Sequence, residues 1–473
     1  MDERTFGGWV RAGYNQVPVM VAVPRNGRTP VELLRALPER HRFLLESTRV
    51  SAEGRYSILG AAPFLRFVAK GDRYWLDERA FSGDPVAALR ALLREWRAPR
   101  LPGMPLFMGG AVGFFGYDAN RYFQRLPAHR NDDLGIWDIA FHFVNEFFVV
   151  DHQEDVIYAV ATGDCYSDCK GRVEGLLRAV ERGPMERRHL AGGPPASGRQ
   201  PNYVSNFAHD DYLAAVRRVQ DYIRTGDTYQ VNLSQRLETE YRGDGLDLYE
   251  TLARIDPVHF ASYFQFDDFE IISASPERLV RVDAGKAFTR PIAGTRRTGA
   301  EEENARFLHE LRTCEKELSE HVMLVDLERN DLGRVCRYGS VHVSKLMEIT
   351  RYAHVMHIES EVVGELCEGK DLLDVVGALF PGGTITGVPK VRTMEIIAEL
   401  EPTARGLYTG SIGYLSFAGD MDLNIAIRTI LRKGSRAYVQ VGGGVVIDSD
   451  PQREFKETLN KARSLLRALV EAP

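Results

Sequence analysis

Two predicted helices each carry a pair of glutamates that could bind a divalent metal ion. Glu317 and Glu320 lie three residues apart on the first, and Glu454 and Glu457 lie three apart on the second. Such pairs share one face of a helix. Carboxylates from two helices suit Mg²⁺, which binds few protein groups and keeps several waters. The alternative is two ordinary solvated faces, with a surface pair between Glu457 and Lys461. The sequence does not show whether the two helices meet.

Two glycine-rich segments could bind an anion. FPGGTITGVPK, residues 380–390, has the glycine spacing of a phosphate loop, but Val-Pro follows where that loop needs Lys and Ser or Thr. We therefore exclude a nucleotide and expect a turn whose free amides hold a carboxylate at a helix start. Gly442, Gly443 and Gly444 fit either an anion nest or, as is more usual for such a run, a bulge or tight turn. The basic residues expected to pair with a bound carboxylate are Arg428 and Lys461.

Composition limits the class of protein. The 473 residues predict one large or two fused domains, and 60 basic against 66 acidic residues give a net charge of −6. No basic stripe is visible, so nucleic acid is not expected as the main partner. Five scattered cysteines without a zinc pattern indicate a reduced, cytosolic chain. The charged amino terminus is unlike a signal peptide, and polar residues interrupt the apolar stretch 134–150. We expect a cytoplasmic protein that does not enter a membrane.

The pattern of elements predicts an α+β fold. Hydrophobic periodicity predicts helices over residues 85–96, 210–225, 301–326, 388–400 and 451–470. Alternating runs predict strands over 55–59, 65–69, 156–161, 269–274, 411–417, 425–432 and 437–441. There is no regular βαβ alternation. The Gly/Pro/Ser-rich segment 190–202 is predicted as a linker between an amino-terminal region, 1–189, and a catalytic region, 203–473.

The motifs resemble those of chorismate-utilising enzymes, in particular component I of aminodeoxychorismate synthase and of anthranilate synthase. The resemblance covers nearly the whole chain. Its strings are TYQVNLSQR, SASPERL, RPIAGTR, EHVMLVDLERNDLG, FPGGTITGVPK, YTGSIGYLSF, NIAIRT and EFKETLNKA. This similarity implies an α+β sandwich of two β-sheets with flanking helices, and an active site between the sheets.

The resemblance also implies roles for individual residues. Glu320 and Glu457 match the Mg²⁺ ligands, with Glu317 and Glu454 beside them as alternative or supporting ligands. Glu277 matches a general acid that helps the C4 hydroxyl of chorismate leave, and His357 matches a histidine near that leaving group. The positions matching those that bind the substrate's carboxylates are Thr384, Tyr408, Arg428, Gly442, Gly443 and Lys461.

Two positions bear on which reaction the chain catalyses. Water-adding members of the family carry a Lys base where this chain has Gln230, whose amide cannot take up a proton. Amination by ammonia is therefore favoured. Ala293 is typical of anthranilate synthases, whereas well-known aminodeoxychorismate synthases have a nucleophilic Lys there. The strings YQVNLSQR, DLERND, FPGGTITG and MDLNIAIRT favour the aminodeoxychorismate branch, whose product leads to 4-aminobenzoate and folate. With Ala293 another species must direct ammonia to C4.

Partners follow from the same resemblance. Leu45, Glu46 and Ser47, in FLLES before GRYSILG, resemble the tryptophan-binding element of anthranilate synthases, where tryptophan inhibits; in the other branch the pocket can persist as a remnant. No glutaminase region is recognisable, so ammonia is expected from a separate glutamine amidotransferase subunit. The competing class is a non-catalytic, tryptophan-binding regulatory paralogue.

Overall fold

The computed structural model of the chain describes residues 1–48, 54–105, 107–126, 131–182, 201–298, 301–351 and 355–473. Within these ranges the α-helices are α1 (Glu3–Arg11), α2 (Pro30–Arg35), α3 (Pro85–Glu95), α4 (Asn120–Phe123), α5 (Tyr166–Arg182), α6 (His209–Arg224), α7 (Gly245–Ile255), α8 (Glu301–Thr313), α9 (Glu315–Gly333), α10 (Leu372–Leu379), α11 (Lys390–Leu400) and α12 (Pro451–Glu471). Short 3-10 turns lie at Tyr117–Ala119 and Gly383–Ile385.

The strands in the same ranges are β1 (Val17–Pro24), β2 (Phe43–Glu46), β3 (Tyr56–Gly60), β4 (Leu65–Lys70), β5 (Arg73–Leu76), β6 (Arg79–Ser82), β7 (Gly110–Phe115), β8 (Ile139–Val144), β9 (Glu146–Asp151), β10 (Val156–Gly163), β11 (Val204–Ser205), β12 (Gln230–Glu240), β13 (Phe260–Gln265), β14 (Phe269–Ser275), β15 (Arg278–Asp283), β16 (Lys286–Thr289), β17 (Ile292–Arg297), β18 (His342–Arg351), β19 (Val355–Glu365), β20 (Gly387–Val388), β21 (Ser411–Ser416), β22 (Met421–Asn424), β23 (Thr429–Lys433) and β24 (Arg436–Val445).

The strands form two antiparallel sheets. The first has the order β1-β10-β9-β3-β2-β13-β14-β23-β24-β12-β11, with β20 also pairing with β12. The second has the order β17-β19-β16-β15-β22-β21-β7-β8-β4-β5-β6, with β18 also pairing with β19. The predicted α+β class with two sheets is therefore confirmed.

Both sheets contain strands from either side of the predicted linker. Residues 190–200 of that linker lie outside the described residues, and residues 201 and 202 belong to no helix or strand. Pairing such as that of β2 with β13 joins the amino-terminal region directly to the predicted catalytic region.

The sheets pack face to face with helices on their outer sides. One apolar cluster joins Phe43 and Ile58 of the first sheet to Val112 and Phe114 of the second, so it lies between them. A second cluster packs α5, α7 and α12 on the outer face of the first sheet. A third packs α3, α9 and α10 on the second sheet. This arrangement is a sandwich of two sheets with helices on its outer faces.

Two predicted elements differ from the structure. The predicted helix 301–326 is two helices, because Cys314 has an extended backbone (φ −73°, ψ 96°) that ends α8 and begins α9. The predicted strand 425–432 is also interrupted, because residues 425–428 carry the chain from β22 in the second sheet to β23 in the first. Arg428 at this crossover adopts a left-handed conformation, with φ of 51°.

The last helix begins as predicted. The side chain of Asp450 accepts a hydrogen bond from the Arg453 amide, and Pro451 occupies the first helical position. These features fix the helical phase of the acids one turn later. Among the described residues, no helix combines the length and the apolar character needed to cross a membrane.

Candidate active site

Glu277 lies at a second crossover between the sheets. It follows β14 of the first sheet and precedes β15 of the second. Its backbone carbonyl accepts a hydrogen bond from the Ile425 amide at 2.9 Å, which joins this crossover to the one that carries Arg428. The fold therefore brings together two segments that are about 150 residues apart in the chain.

The Glu277 carboxyl is buried and receives one hydrogen bond from a neighbouring hydroxyl. The residue is 9% exposed, and Thr384 Oγ1 donates to Glu277 Oε1 at 2.8 Å. Burial raises the pKa of this carboxyl to about 7, although the Thr384 hydrogen bond and the charge of Lys461 act in the opposite direction. Near neutral pH a substantial fraction of Glu277 is therefore protonated and able to donate.

The acids of α9 have different partners. Gln230 Nε2 donates to Glu320 Oε1 at 3.3 Å, which connects α9 to β12 of the first sheet. Glu317 instead accepts a hydrogen bond from Arg296 Nη1 at 2.7 Å. Glu320 thus faces the first sheet across the site, whereas Glu317 is held by a cation on the second sheet.

The acids of α12 lie against β24. Glu454 accepts a hydrogen bond from Ser449 Oγ at 2.7 Å, and Lys461 Nζ lies 2.8 Å from Glu457 Oε1. Lys461 also donates to the carbonyl of Gly442 at 3.0 Å. Because the charge of Lys461 also acts on Glu277, this lysine links the α12 acids to the buried carboxyl.

The three glycines lie in a strand with unbroken register, so the predictions of a nest and of a bulge or tight turn are wrong. Gly442, Gly443 and Gly444 pair with residues of β12 in the antiparallel ladder. Neighbouring side chains approach these three positions closely, which explains why they are occupied by glycine, which has no side chain. A methyl group on Gly443 would lie 3.3 Å from Glu454 Oε2, and one on Gly444 would lie 2.4 Å from Gln230 Nε2. Gly443 therefore leaves space for the α12 acids, and Gly444 leaves space for the Gln230 side chain, which contacts Glu320 on α9.

The turn at residues 382–386, called the Gly/Thr turn below, has a different form from the one predicted. Pro389 is the cap residue rather than a residue of the first turn, and α11 begins at Lys390. Thr384 lies in the short 3-10 turn before it, where its hydroxyl binds Glu277. The turn thus contributes a side-chain hydroxyl to the site.

Other predicted residues surround this centre. Tyr408 is buried, and a methyl group on Gly442 would lie 2.8 Å from its hydroxyl oxygen. His357 lies on β19, where burial, together with the charge of Arg428, lowers its pKa to about 4; a hydrogen bond to the Gly294 backbone acts the other way. His357 is therefore neutral at pH 7. Ala293 lies on the neighbouring strand β17, opposite Ile358, and offers only a methyl group.

Arg428 has its own partner at the edge of the site. Its guanidinium Nη1 lies 3.8 Å from Asp256 Oδ2, and the side chain is 34% exposed. An arginine at this distance from its carboxylate keeps donors that a second carboxylate can use.

The donor set fits Mg²⁺ rather than a metal held by protein groups alone. No three His, Cys, Asp or Glu side chains in the described part of the chain stand close enough to form a complete metal cluster. Mg²⁺ requires only one or two carboxylates when waters and substrate oxygens complete its six ligands. Glu320 of α9 and Glu457 of α12 are two carboxylates of the kind that Mg²⁺ could use in this way.

Comparisons with known proteins agree with this geometry. Residues 40–467 match the family of the chorismate binding enzyme. The chain belongs to this family. It is 41% identical over 479 residues to anthranilate synthase component 1 of Acetivibrio thermocellus, covering 97% of this chain and 96% of the relative. It is 43% identical over 448 residues to aminodeoxychorismate synthase component 1 of Bacillus subtilis (strain 168), covering 92% and 93%.

A solved structure shows the same fold. The crystal structure of anthranilate synthase component I from Streptococcus pneumoniae TIGR4 superposes with a TM-score of 0.80 at 33% identity, covering 94% of this chain and 99% of that one. The protein is thus a chorismate-utilising enzyme of the anthranilate synthase and aminodeoxychorismate synthase type. This confirms the family resemblance of the motifs.

The chorismate-binding enzyme also has a separate cavity between its sheets. It measures about 300 Å³ and is lined by residues of both sheets, among them Leu45, Glu46, Ser47, Tyr414 and Asn424. Tyr249 Oη donates to Glu46 Oε2 at 2.7 Å, and burial raises the pKa of Glu46. The predicted tryptophan element therefore lines a cavity that contains none of the site residues described above.

Two residues without a local signature in the sequence hold the site segments together. Arg405 and Glu401 form a buried ion pair between the Gly/Thr turn and β12. An Arg and a Glu four residues apart are typical of a solvated helix surface, so their spacing gave no signal.

The glycines of β24 allow a matched pair of substitutions. We expect Gly442→Ala to lower the free energy of unfolding by about 1–3 kcal/mol, because its methyl group would lie 2.8 Å from the Leu233 carbonyl oxygen. Gly443→Ala meets only the ends of Glu454 and Glu457, at 3.3 and 3.7 Å, so its stability should change little. It should nevertheless reduce turnover of chorismate by about tenfold or more, because the methyl group is tight against Glu454 and fills the space beside both carboxylates. Urea denaturation measures the stability of each variant, and initial rates measure its turnover. Equal losses of stability in both variants would contradict the proposed difference in crowding between Gly442 and Gly443.

Proposed function

We propose that the protein catalyses the Mg²⁺-dependent amination of chorismate by ammonia at C4, giving 4-amino-4-deoxychorismate and water. Gln230 is the observation that supports amination rather than hydration. Its amide stands where the resemblance implies a Lys base in water-adding enzymes, and an amide cannot deprotonate water. The Nε2 atom of Gln230 also donates a hydrogen bond to Glu320 Oε1, at 3.3 Å.

Glu277 is the general acid in this proposal. Its carboxyl, with a pKa raised to about 7 by burial, gives its proton to the C4 hydroxyl, which leaves as water. Ammonia forms the new C–N bond at C4 and gives up a proton to the Glu277 carboxylate, which restores the acid. Thr384 holds the carboxyl in place through the 2.8 Å hydrogen bond.

Glu320 and Glu457 would hold Mg²⁺, with Glu317 and Glu454 as supporting acids. When bound, Mg²⁺ supplies positive charge at the ring carboxylate of the substrate. All four acids have partners in the structure, Glu317 in Arg296, Glu454 in Ser449, Glu320 in Gln230 and Glu457 in Lys461. The choice of Glu320 and Glu457 as the direct ligands therefore rests on the family resemblance.

The remaining site residues bind and orient the substrate. Arg428 and Lys461 supply cations for its carboxylates, and Tyr408 supplies a hydroxyl beside Gly442. Gly443 leaves room for the bound substrate beside the α12 acids. His357 is neutral, so it contributes a hydrogen bond near the leaving group rather than a charge.

The sequence motifs and the 43% identical relative of the aminodeoxychorismate branch support C4 as the position of amination. The second candidate is anthranilate synthase, which forms anthranilate and pyruvate. Ala293 and the 41% identical relative of Acetivibrio thermocellus favour it. Ala293 excludes a lysine nucleophile at its position under either candidate.

Product identification tests the proposal. The chain is incubated with chorismate, MgCl2 and an ammonium salt, and the products are separated with and without an added 4-amino-4-deoxychorismate lyase. We expect 4-aminobenzoate only after the lyase is added. Anthranilate with stoichiometric pyruvate would establish the second candidate instead. No turnover would contradict both candidates and favour a non-catalytic paralogue.

The proposed acid predicts the pH dependence of the reaction. Because Glu277 must be protonated and its pKa is raised to about 7, kcat/KM for chorismate should fall as the pH rises above about 7. Initial rates between pH 5.5 and 9, at saturating Mg²⁺ and a constant concentration of free ammonia, measure this. A profile that is level or rises across the range would contradict the assignment of Glu277.

A separate subunit would supply the ammonia. The relatives are named component 1, which supports a partner component. We propose that this partner is a glutamine amidotransferase. The isolated chain should then use ammonium salts but not glutamine, and turnover with glutamine alone would contradict the proposal.

The cavity between the sheets is proposed to bind tryptophan as an inhibitor. Ser47 lines it, with Oγ 3.5 Å from His259 Nδ1. We expect tryptophan to bind the wild type in calorimetry and to inhibit turnover, and Ser47→Ala to weaken both effects without lowering the uninhibited rate. Ser344→Ala, on an exposed strand outside the cavity, is the control. Absence of heat and of inhibition with the wild type would identify the cavity as a structural remnant.

A further inference from the structure

Arg405 and Glu401 form an ion pair inside the protein. The side chains are 1% and 2% exposed, and they meet through two hydrogen bonds: Nε to Oε2 at 2.9 Å and Nη2 to Oε1 at 2.7 Å. A buried pair of this kind contributes little net stability, because removing two charges from water costs about as much as their attraction returns. Its presence therefore points to a role other than stability.

The remaining donors of Arg405 reach two backbone segments of the candidate site. Nη1 donates to the carbonyl of Ile385 at 3.0 Å, and Nη2 donates to the carbonyl of Asn232 at 2.6 Å. Ile385 directly follows Thr384 in the Gly/Thr turn. Asn232 lies two residues after Gln230 on β12.

Glu401 and the face of the guanidinium reach two further parts of the site. Glu401 Oε1 accepts from both the amide and the hydroxyl of Ser234 on β12, at 2.9 and 2.8 Å. The guanidinium carbon of Arg405 lies 5.5 Å from the centre of the Tyr408 ring. Its Nη1 also donates to Thr409 Oγ1 at 3.1 Å.

We propose that the Arg405–Glu401 pair is a positioning element for the active site, which fixes the Gly/Thr turn, β12 and Tyr408 relative to one another. This proposal rests on the proposed function in one respect: Glu277, whose carboxyl is held by Thr384, is taken as the general acid. The planar guanidinium of Arg405 serves four partners at fixed angles: two backbone carbonyls, one hydroxyl and one carboxylate. The single ammonium of lysine cannot reproduce this arrangement.

The pair acts on the chemistry through Thr384. If the Ile385 carbonyl is released, the turn shifts and Thr384 loses its hydrogen bond to Glu277. That bond lowers the pKa of Glu277, so its loss raises the pKa and moves the decline in activity to higher pH. The charged groups that face Glu277 are Lys461 on α12 and Glu328 on α9, and neither contacts Arg405 in the hydrogen bonds of the described residues.

Arg405→Lys tests the proposal. We expect kcat to fall by about tenfold or more per folded molecule, with KM for chorismate changed by less than about threefold. The high-pH decline of kcat/KM should move upward. Arg432→Lys, which breaks another Arg–Glu pair within the first sheet, is the matched control and should leave the pH profile unchanged.

A purely structural role gives a different result. Arg405→Lys would then lower the yield or the free energy of unfolding, while kcat per folded molecule and the pH profile stayed as in the wild type; that outcome overturns the proposal. Ser234→Ala removes one hydroxyl from Glu401 and adds no atom, so it should fold if Arg405→Lys does not. It should move the profile in the same direction by a smaller amount, and an unchanged profile overturns the proposal equally.

The protonation of Glu277 can also be followed without turnover. The infrared band of its protonated carboxyl, assigned by its loss in Glu277→Gln, gives the pKa directly. We expect this pKa to rise in Arg405→Lys. The wild-type assay with chorismate tests the proposed function, and the infrared titration tests the positioning role, so a failure of either is distinguishable from a failure of the other.

Discussion

Replacing Glu277 by Gln should lower kcat for chorismate by about 10³-fold, which corresponds to about 4 kcal/mol of transition-state stabilisation. Glutamine has the same size and can still accept the hydrogen bond from Thr384, so the geometry of the site should persist. It has no acidic proton to give to the departing hydroxyl. Steady-state rates with chorismate, Mg²⁺ and ammonium measure the loss, and KM should change by less than about threefold.

Glu250→Gln is the matched control for this variant. Glu250 lies on α7, and burial raises the pKa of its carboxyl in the same direction as that of Glu277. It lies outside the candidate site, so its replacement should leave kcat unchanged. A Glu277→Gln enzyme with wild-type turnover, or one whose rate still declines above pH 7 as the wild type does, would show that another group is the acid.

Glu457→Gln should produce the second large effect, a loss of turnover of about 100-fold or more at physiological Mg²⁺. The amide has no charge to offer the metal, and it also frees Lys461, which lies 2.8 Å from Glu457 in the wild type. Part of the loss should be recovered as Mg²⁺ is raised, because weakened binding can be offset by concentration. A titration of initial rate against Mg²⁺, together with calorimetry of Mg²⁺ binding, measures both.

Glu471→Gln provides the control on the same helix. Glu471 is at the end of α12, where it accepts a hydrogen bond from Arg467. Its variant should keep the wild-type Mg²⁺ dependence. If Glu457→Gln required no more Mg²⁺ than Glu471→Gln, then Glu457 would not be a ligand.

Local signals in the sequence predict about half of the α-helices and a minority of the strands in the described residues. The cap at Asp450 and the proline after it place the start of α12 correctly, because they act on the backbone within one turn. The break at Cys314 and the crossover at residues 425–428 were missed. Both are imposed by packing against distant strands, and apolar periodicity continues through them.

The candidate site is harder to predict from residues alone. The acids of α9 and α12 are recognisable as pairs, but their neighbours are not. Gln230, which donates to Glu320, and the β24 glycines beside the α12 acids are more than 200 residues apart in the chain. The burial of Glu277 follows from its place at a crossover between two sheets. The Arg405–Glu401 pair has no local signature, because burial alone distinguishes it from a surface pair.

The fate of labelled ammonia tests the central claim most directly. Wild-type protein is incubated with chorismate, MgCl2 and ¹⁵N-ammonium, and the product is examined by NMR for the carbon that bears the label. The proposal predicts ¹⁵N on C4 of a product that keeps its enolpyruvyl group, with none formed when Mg²⁺ is chelated. Label in anthranilate with release of pyruvate would contradict amination at C4, and consumption of chorismate without incorporation of label would contradict amination itself.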